Sequence, residues 1–379
     1  MKLNPSARLG GIALAGALAL AACGSDNNSG SGASSSGAGG GSSSSSGPAL
    51  TGSLSGEGST AQKNAIDEAI AMFSQTNSGA KVSYNATGSG AGIKSFVNGQ
   101  VDWAGSDSAL KTDAAEDGAA SETAAASKRC GGNEAWNIPL VAGPISIAYN
   151  LQGVDKLVLD PATIAKIFQG KITTWNDPAI ARLNSGVNLP SSKISVFYRS
   201  DESGTTENFE KYLAGAAAAD YKVTPSKKWS GTVGQGAAKS AGVAQGIKST
   251  AGGIGYVEWS NAKDNNLGTA WVDNGGGAVQ LTAESAGKAV EAAKPAGQGN
   301  DLRLKLDYAT KAPGVYPIVL VTYEVVCSKG LDSTKVALLK GFLTFLAQPS
   351  TQQDLAGIGY ATLPASVLSK VNSSISAIS

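Results

Sequence analysis

Three short stretches of this chain combine glycines, hydroxyls and the start of an amphipathic helix. They read "SGEGSTAQKNAI" (Ser55–Ile66), "TGSGAGIKSF" (Thr87–Phe96) and "YRSDESGTTENF" (Tyr198–Phe209). The first turn of a helix leaves backbone N–H groups without partners and carries a partial positive charge. Glycine lets an anion approach that backbone closely, and a hydroxyl adds a donor. Each turn alone is explained by capping: Ser59 with Gln62 has the spacing of a capping box, Ser89 suits an N-cap, and Ser203 precedes Gly204, Thr205 and Glu207. Three such turns in one chain point instead to an oxyanion wrapped in donors.

Two charged residues sharpen that reading. Arg199 stands at the end of the strand "SVFY" and offers a two-pronged donor fork, with Asp201 two residues on to hold it. The plainer role for Arg199 is a surface ion pair with Asp201 or Glu202, which is worth little. Asp107 in "AGSDSAL" faces the wrong way electrostatically, since a carboxylate repels an anion unless the anion carries a proton. Phosphate at neutral pH does; sulfate does not, and would leave the buried acceptor facing lone pairs. The alternative is that Asp107 simply caps the next turn.

Composition excludes other chemistry. Histidine is absent, which removes a Ser-His-Asp triad, a Cys-His dyad and the usual zinc sites. Gly88-Ser89-Gly90 lacks the spacing of a nucleophile elbow, so a hydrolase using Ser89 or Ser203 is disfavoured. We expect no enzyme, no cofactor and no metal. Charge is balanced, with 30 basic and 29 acidic residues, so no basic face for nucleic acid is expected.

The elements that would position these residues alternate. "AIDEAIAMF" places Ile66, Ile70 and Phe73 on one helix face, and "KVSYNATG" alternates like a strand. "VDWAGSD", "PISIAYNL", "KISVFYRS", "GGIGYVEW" and "YPIVLVTYEVVC" read as strands; "GIKSFVNG", "PATIAKIFQG" (closed by Gly170), "TENFEKYLAGA", "VALLKGFLTFLA" and "PASVLSKVNSSISAI" read as helices. This pattern predicts an α/β fold with largely parallel sheets.

The first 22 residues read as an export signal, with basic Lys2 and Arg8 before an apolar run that ends in "LAAC". That ending resembles a bacterial lipobox, which would leave Cys23 as a lipidated N-terminus. Gly24 to Pro48 is almost purely Ser, Gly, Ala and Asn. Such a segment reads as a flexible tether spanning roughly 25–30 Å. The folded part then begins near Leu50. Cys130 and Cys327 remain as an even pair, which in an exported chain suggests a disulfide, two buried free thiols being the alternative.

With these residues in view, the chain resembles the phosphate-binding lipoproteins (PstS), the substrate-binding component of the bacterial phosphate-specific ABC transporter. "LTGSLSGEGSTA", "GSGAGIKSFVNGQVDWAGSDSAL", "IAKIFQGKITTWNDPAI", "YRSDESGTTENF" and "GGIGYVEW" carry the likeness over nearly all of Leu50 to Ser379. The resemblance implies the two-lobe periplasmic-binding-protein fold, type II-like, each lobe a mixed, mostly parallel sheet flanked by helices. Two hinge crossovers would lie near Ile138–Pro144 and Gly314–Leu320. Lobe one would hold 50–140 plus 318–379, and lobe two 141–317. Phosphate would be held by Thr60, the N–H of Ala61, Ser89, Arg199, Ser203, Gly204 and Thr205, with Asp107 accepting its proton and Asp201 steadying Arg199. Ala61 stands where many members carry Phe, which removes an apolar cleft wall but keeps the N–H. The implied partners are inorganic phosphate, permease and ATPase subunits, and the membrane through a lipid at Cys23, with the protein itself a monomer on the outer face. A binding protein for another protonated oxyanion such as arsenate, or a surface interaction protein, are the alternatives.

Overall fold

The computed structural model describes residues 49–114 and 120–379. The export signal, Cys23 and the Ser/Gly segment lie outside the described residues.

One curled sheet runs through the molecule, and its strand order shows how two lobes share it. From one edge, Ala80–Ala86 is followed by Gly52–Gly58, Trp103–Ser106, Val319–Cys327, Ala135–Tyr149, Gly253–Glu258, Ser195–Arg199 and Gln235–Ala237. The outer strands of both lobes pair in parallel, as expected of βαβ units. The middle differs: Val319–Cys327 is antiparallel to both its neighbours, and Ala135–Tyr149 is antiparallel to Gly253–Glu258. The reason is connectivity. One strand leaves the first lobe, the other returns to it, and two such strands lying side by side must run in opposite directions.

Ala135–Tyr149 is buried along all 15 residues. Both its faces are covered, so it reads as a largely apolar run, interrupted by Asn137 and Ser146, rather than an alternating one. Its first part pairs with Val319–Cys327 and its last part, from Ile145, with Gly253–Glu258. The segment expected to be a crossover, Ile138–Pro144, is therefore the middle of a continuous strand that passes between lobes. A register shift between Thr322 and Tyr323 interrupts its pairing with the returning strand. Thr322, beside this bulge, matters below.

Local signals explain most helix ends. Pro161–Phe168 starts behind Asp160, whose side chain accepts from Thr163 N–H. It ends with Gly170 at φ +69°, where Gly170 and Lys171 N–H groups bond Ile167 and Lys166 carbonyls in the double bond of a Schellman motif. On the second lobe, Phe168, Phe209, Trp229 and Tyr256 form an aromatic cluster, with Phe209 and Tyr256 stacked at 4.5 Å. It anchors the Tyr256 hydroxyl beneath the strand end that carries Arg199. Among the described residues, no helix is long and apolar enough to cross a membrane.

Cys130, at the end of helix Glu122–Arg129, is bonded to Cys327, at the end of the returning strand, across 197 positions of sequence. Both sulfurs sit in a small apolar cluster with Phe96, Ala126 and Val325. A loop this long is entropically costly to close in the unfolded chain, which is where a disulfide acts. We expect the double variant Cys130→Ala/Cys327→Ala to lose about 2–5 kcal/mol of unfolding free energy. Urea titration of the two proteins checks this, and coincident midpoints would contradict it.

Candidate functional site

The three glycine–hydroxyl turns converge, and Asp107 lies where they meet. Its carboxylate is buried, at 3% exposure. Ser59 Oγ donates to Oδ1 at 2.5 Å, Thr322 Oγ1 donates to Oδ1 at 2.8 Å, and Ser89 Oγ donates to Oδ2 at 3.0 Å. No cation is among these partners. Burial pushes the acid up to about 6, against the three hydroxyls, which favour the charged form, while the Glu258 carboxylate adds to the rise.

These bonds correct two capping expectations. The helix after Ser59 begins at Lys63 behind Gln62, with no side-chain cap, and Ser59 turns its hydroxyl to Asp107 while its oxygen accepts from Ala61 N–H at 3.0 Å. Ser89 is the first residue of its helix, and the cap position is Gly88. Gly88 has φ +109°, and a Cβ there would meet an Asp201 oxygen at 2.8 Å. Ser203 does cap: its Oγ accepts from Thr206 N–H at 3.3 Å, which leaves its own proton free to donate.

Arg199 is almost fully buried, at 2% exposure. Its Nε and Nη2 donate to the two Asp201 oxygens at 2.8 and 2.5 Å, a bidentate pair. The surface-pair alternative thus fails for Arg199. Burial works against the guanidinium charge, but the Asp201 carboxylate outweighs it and the guanidinium holds its proton more tightly than usual; Asp201 in turn is held below its usual range, its own burial notwithstanding. The remaining nitrogen, Nη1, reaches Thr205 Oγ1 at 3.4 Å and Ser240 Oγ at 3.3 Å. Arg199 N–H donates to the Tyr256 hydroxyl at 3.1 Å, which ties the strand end to the aromatic cluster.

The two lobes touch across this site. A Cβ on Gly204 would meet Asp107 Cβ at 2.5 Å and Ser89 Oγ at 2.8 Å, so only glycine fits there. Asn208 Nδ2 donates to the Asp107 carbonyl at 2.7 Å and Ser108 Oγ donates to Glu207 at 2.8 Å. Lys94 pairs with Glu202 at 3.0 Å, and Thr60 Oγ1 lies 2.7 Å from Ser240 Oγ.

All eight expected ligand residues therefore cluster, but with differences. Ala61 is fully buried; its N–H is engaged by Ser59, and its carbonyl accepts from the Tyr360 hydroxyl at 2.8 Å. The Thr205 hydroxyl donates to the buried Glu258 carboxylate, so this side chain is already engaged. Ser59, Thr322, Ser240 and Glu258 were assigned no such role from sequence. Ser59 looked like a cap, Thr322 hides in an apolar strand, Ser240 opens a helix with little pattern, and Glu258 ends the quoted motif "GGIGYVEW". Among the described residues, no group of three or more Cys, Asp or Glu side chains could hold a metal ion.

A two-lobe α/β body with helix N-termini meeting between the lobes is the architecture of a solute-binding protein. Residues 42–350 match the model of the PBP superfamily domain. Phosphate-binding protein PstS 3 of Mycobacterium tuberculosis is 42% identical over 382 residues, covering 100% of both chains. PstS 2 of the same organism is 43% identical over 330 residues, 86% of this chain and 87% of that one. Among solved structures, the phosphate-bound high affinity periplasmic phosphate-binding protein PfluDING superposes with a TM-score of 0.67 at 21% identity, over 85% of this chain and 93% of that one. The chain belongs to the PstS family of phosphate-binding proteins.

Asp107 generates a stability prediction. Its folded pKa lies above the ordinary 3.8, so the folded state binds the proton more tightly than the unfolded one. The charge therefore costs nothing below about pH 4, costs more as pH rises to about 6, and reaches about 3 kcal/mol by pH 7. We expect the stability of wild type relative to Asp107→Asn to fall across that window. Urea unfolding at pH 4, 5, 6 and 7 measures it, and a gap independent of pH would refute it.

Proposed function

We propose that this protein captures inorganic phosphate between its lobes outside the cytoplasm and hands it to an ABC transporter for import. The observation that carries this reading is Asp107, a buried acceptor whose side-chain hydrogen-bond partners are hydroxyls, with no cation among them. An oxyanion that brings its own proton satisfies it; a fully ionised one does not. The donors would be Thr60, Ala61 N–H in exchange for its bond to Ser59, Ser89 through its backbone N–H because its hydroxyl goes to Asp107, Arg199, Ser203, Gly204 and Thr205, the last chiefly through its backbone N–H because Glu258 holds its hydroxyl. Arg199 is charge-balanced by Asp201, so much of the attraction would come from helix N-termini rather than from net charge. The lobes would be 50–140 plus 318–379 and 141–317, closing on the ligand as a hinge.

We further propose that the chain acts by binding and not by catalysis, and is a monomer. It would be held at the outer face of the membrane by a lipid on Cys23 and would dock the permease with its lobe faces near the cleft mouth, the ATPase subunits of the same transporter lying across the membrane. The family membership and the lipobox-like "LAAC" support these points.

Calorimetric titration of residues 50–379, stripped of anion, tests the reading. We expect one-to-one phosphate binding and no sulfate signal at pH 7.5. Because Asp107 protonates near 6, sulfate discrimination should weaken at pH 5. Strong sulfate binding at pH 7.5, or no binding of either anion, would end the proposal. Arg199→Ala breaks a buried charge pair and should cost about 2–5 kcal/mol of phosphate affinity. Near-wild-type titration of that variant would remove Arg199 from the site.

A further inference from the structure

Ser240 belongs to none of the three glycine–hydroxyl turns, yet it sits at their meeting point. It is the second residue of helix Lys239–Ser249 and is 2% exposed. Its Oγ lies 2.7 Å from Thr60 Oγ1 and accepts from Arg199 Nη1 at 3.3 Å. Its N–H, free of any helical partner at this position, points at Thr60 Oγ1 at 3.3 Å. One residue thus touches a clamp group of each lobe.

The turn that presents it is held on purpose. Lys239 has φ +63°, a conformation that residues other than glycine seldom adopt and that persists only when its surroundings enforce it. The enforcing contact is Lys239 N–H donating to Asp201 Oδ1 at 2.9 Å. That same oxygen accepts from Arg199 Nε. Asp201 therefore fixes the guanidinium fork and the Ser240 turn relative to each other.

We propose that Ser240 is a further phosphate-binding residue, donating its hydroxyl and its N–H to the oxygen shared by Thr60 and Arg199. The inference rests on the phosphate reading above. Ser240 Oγ already bonds both Thr60 Oγ1 and Arg199 Nη1, so an anion oxygen received between those two groups on the same side comes within its reach. Ser240 Oγ can accept from Arg199 and still give its own proton to the anion. Thr60 meets it from the first lobe, so its donation also ties lobe closure to ligand occupancy.

The test is phosphate titration of wild type, Ser240→Ala and Ser240→Thr, with thermal unfolding of each in phosphate-free buffer. A hydrogen bond to a charged group predicts a phosphate Kd raised about 10- to 100-fold in Ser240→Ala. Ser240→Thr, which keeps the hydroxyl, should recover most of that loss, and the phosphate-free midpoints of wild type and Ser240→Ala should agree. Wild-type binding with an unchanged Kd in Ser240→Ala overturns this inference alone. So does a loss shared by both variants together with a lowered phosphate-free midpoint, which marks a packing role. No phosphate binding by wild type overturns the functional reading, and this inference falls with it.

Discussion

A carboxylate buried without a cation is the constraint around which this molecule is organised. Asp107 could be neutralised cheaply by a lysine, but a lysine would fill the acceptor positions a protonated ligand needs. The fold instead surrounds it with hydroxyls, and those come from three separate places: the loop after Gly52–Gly58, the start of helix Ser89–Val97 and the returning strand at Thr322. Bringing the third into reach requires a strand from the far end of the chain beside Trp103–Ser106, where the pairing of Tyr323 with Ser106 sets Thr322 beside Asp107. The topology of the first lobe and the chemistry of its site are thus one problem with one solution.

The second lobe answers with a different device. The buried cation at its side of the site, Arg199, is already spoken for by Asp201, and its Thr205 hydroxyl by Glu258. What remains directed at the cleft is a set of oriented donors at helix starts, which cost no reorganisation when an anion arrives. Rigid support comes from beneath, through Tyr256, whose hydroxyl meets both Arg199 N–H and Thr206 Oγ1 and whose ring lies in the aromatic cluster. Packing energy is thereby converted into positional accuracy at the strand end.

Much of this was legible in the sequence, and what was not has physical causes. Arg199, Asp201 and the Ser203 cap are local in sequence, so spacing alone reveals them. Ser59 misled because its hydroxyl prefers Asp107, 48 residues away, to the capping bond its spacing allows. Thr322 lies in a run whose apolar character reflects burial on both faces, and nothing local marks it as polar in purpose. Helix Lys239–Ser249 is built from Ala, Gly and Ser around Val243 and Ile247, too weak a stripe to predict, and Ser240 went unseen with it. The parallel outer strands follow from alternating elements; the antiparallel centre follows only from knowing that the chain crosses between lobes and comes back.

The disulfide between Cys130 and Cys327 closes a loop that takes in the strands Gly253–Glu258, Ser195–Arg199 and Gln235–Ala237, and Ser379 is pinned beside it through bonds with Ser328 and Gly330. A protein exported beyond the cytoplasm meets proteases, and the glycine-rich segments near Gly275 and Gly297 are exposed places for a first cut. Such a nick falls inside the closed loop. Both fragments would stay covalently joined at the root of the crossing strands, so the damaged chain keeps its halves in register where an unbridged one would come apart.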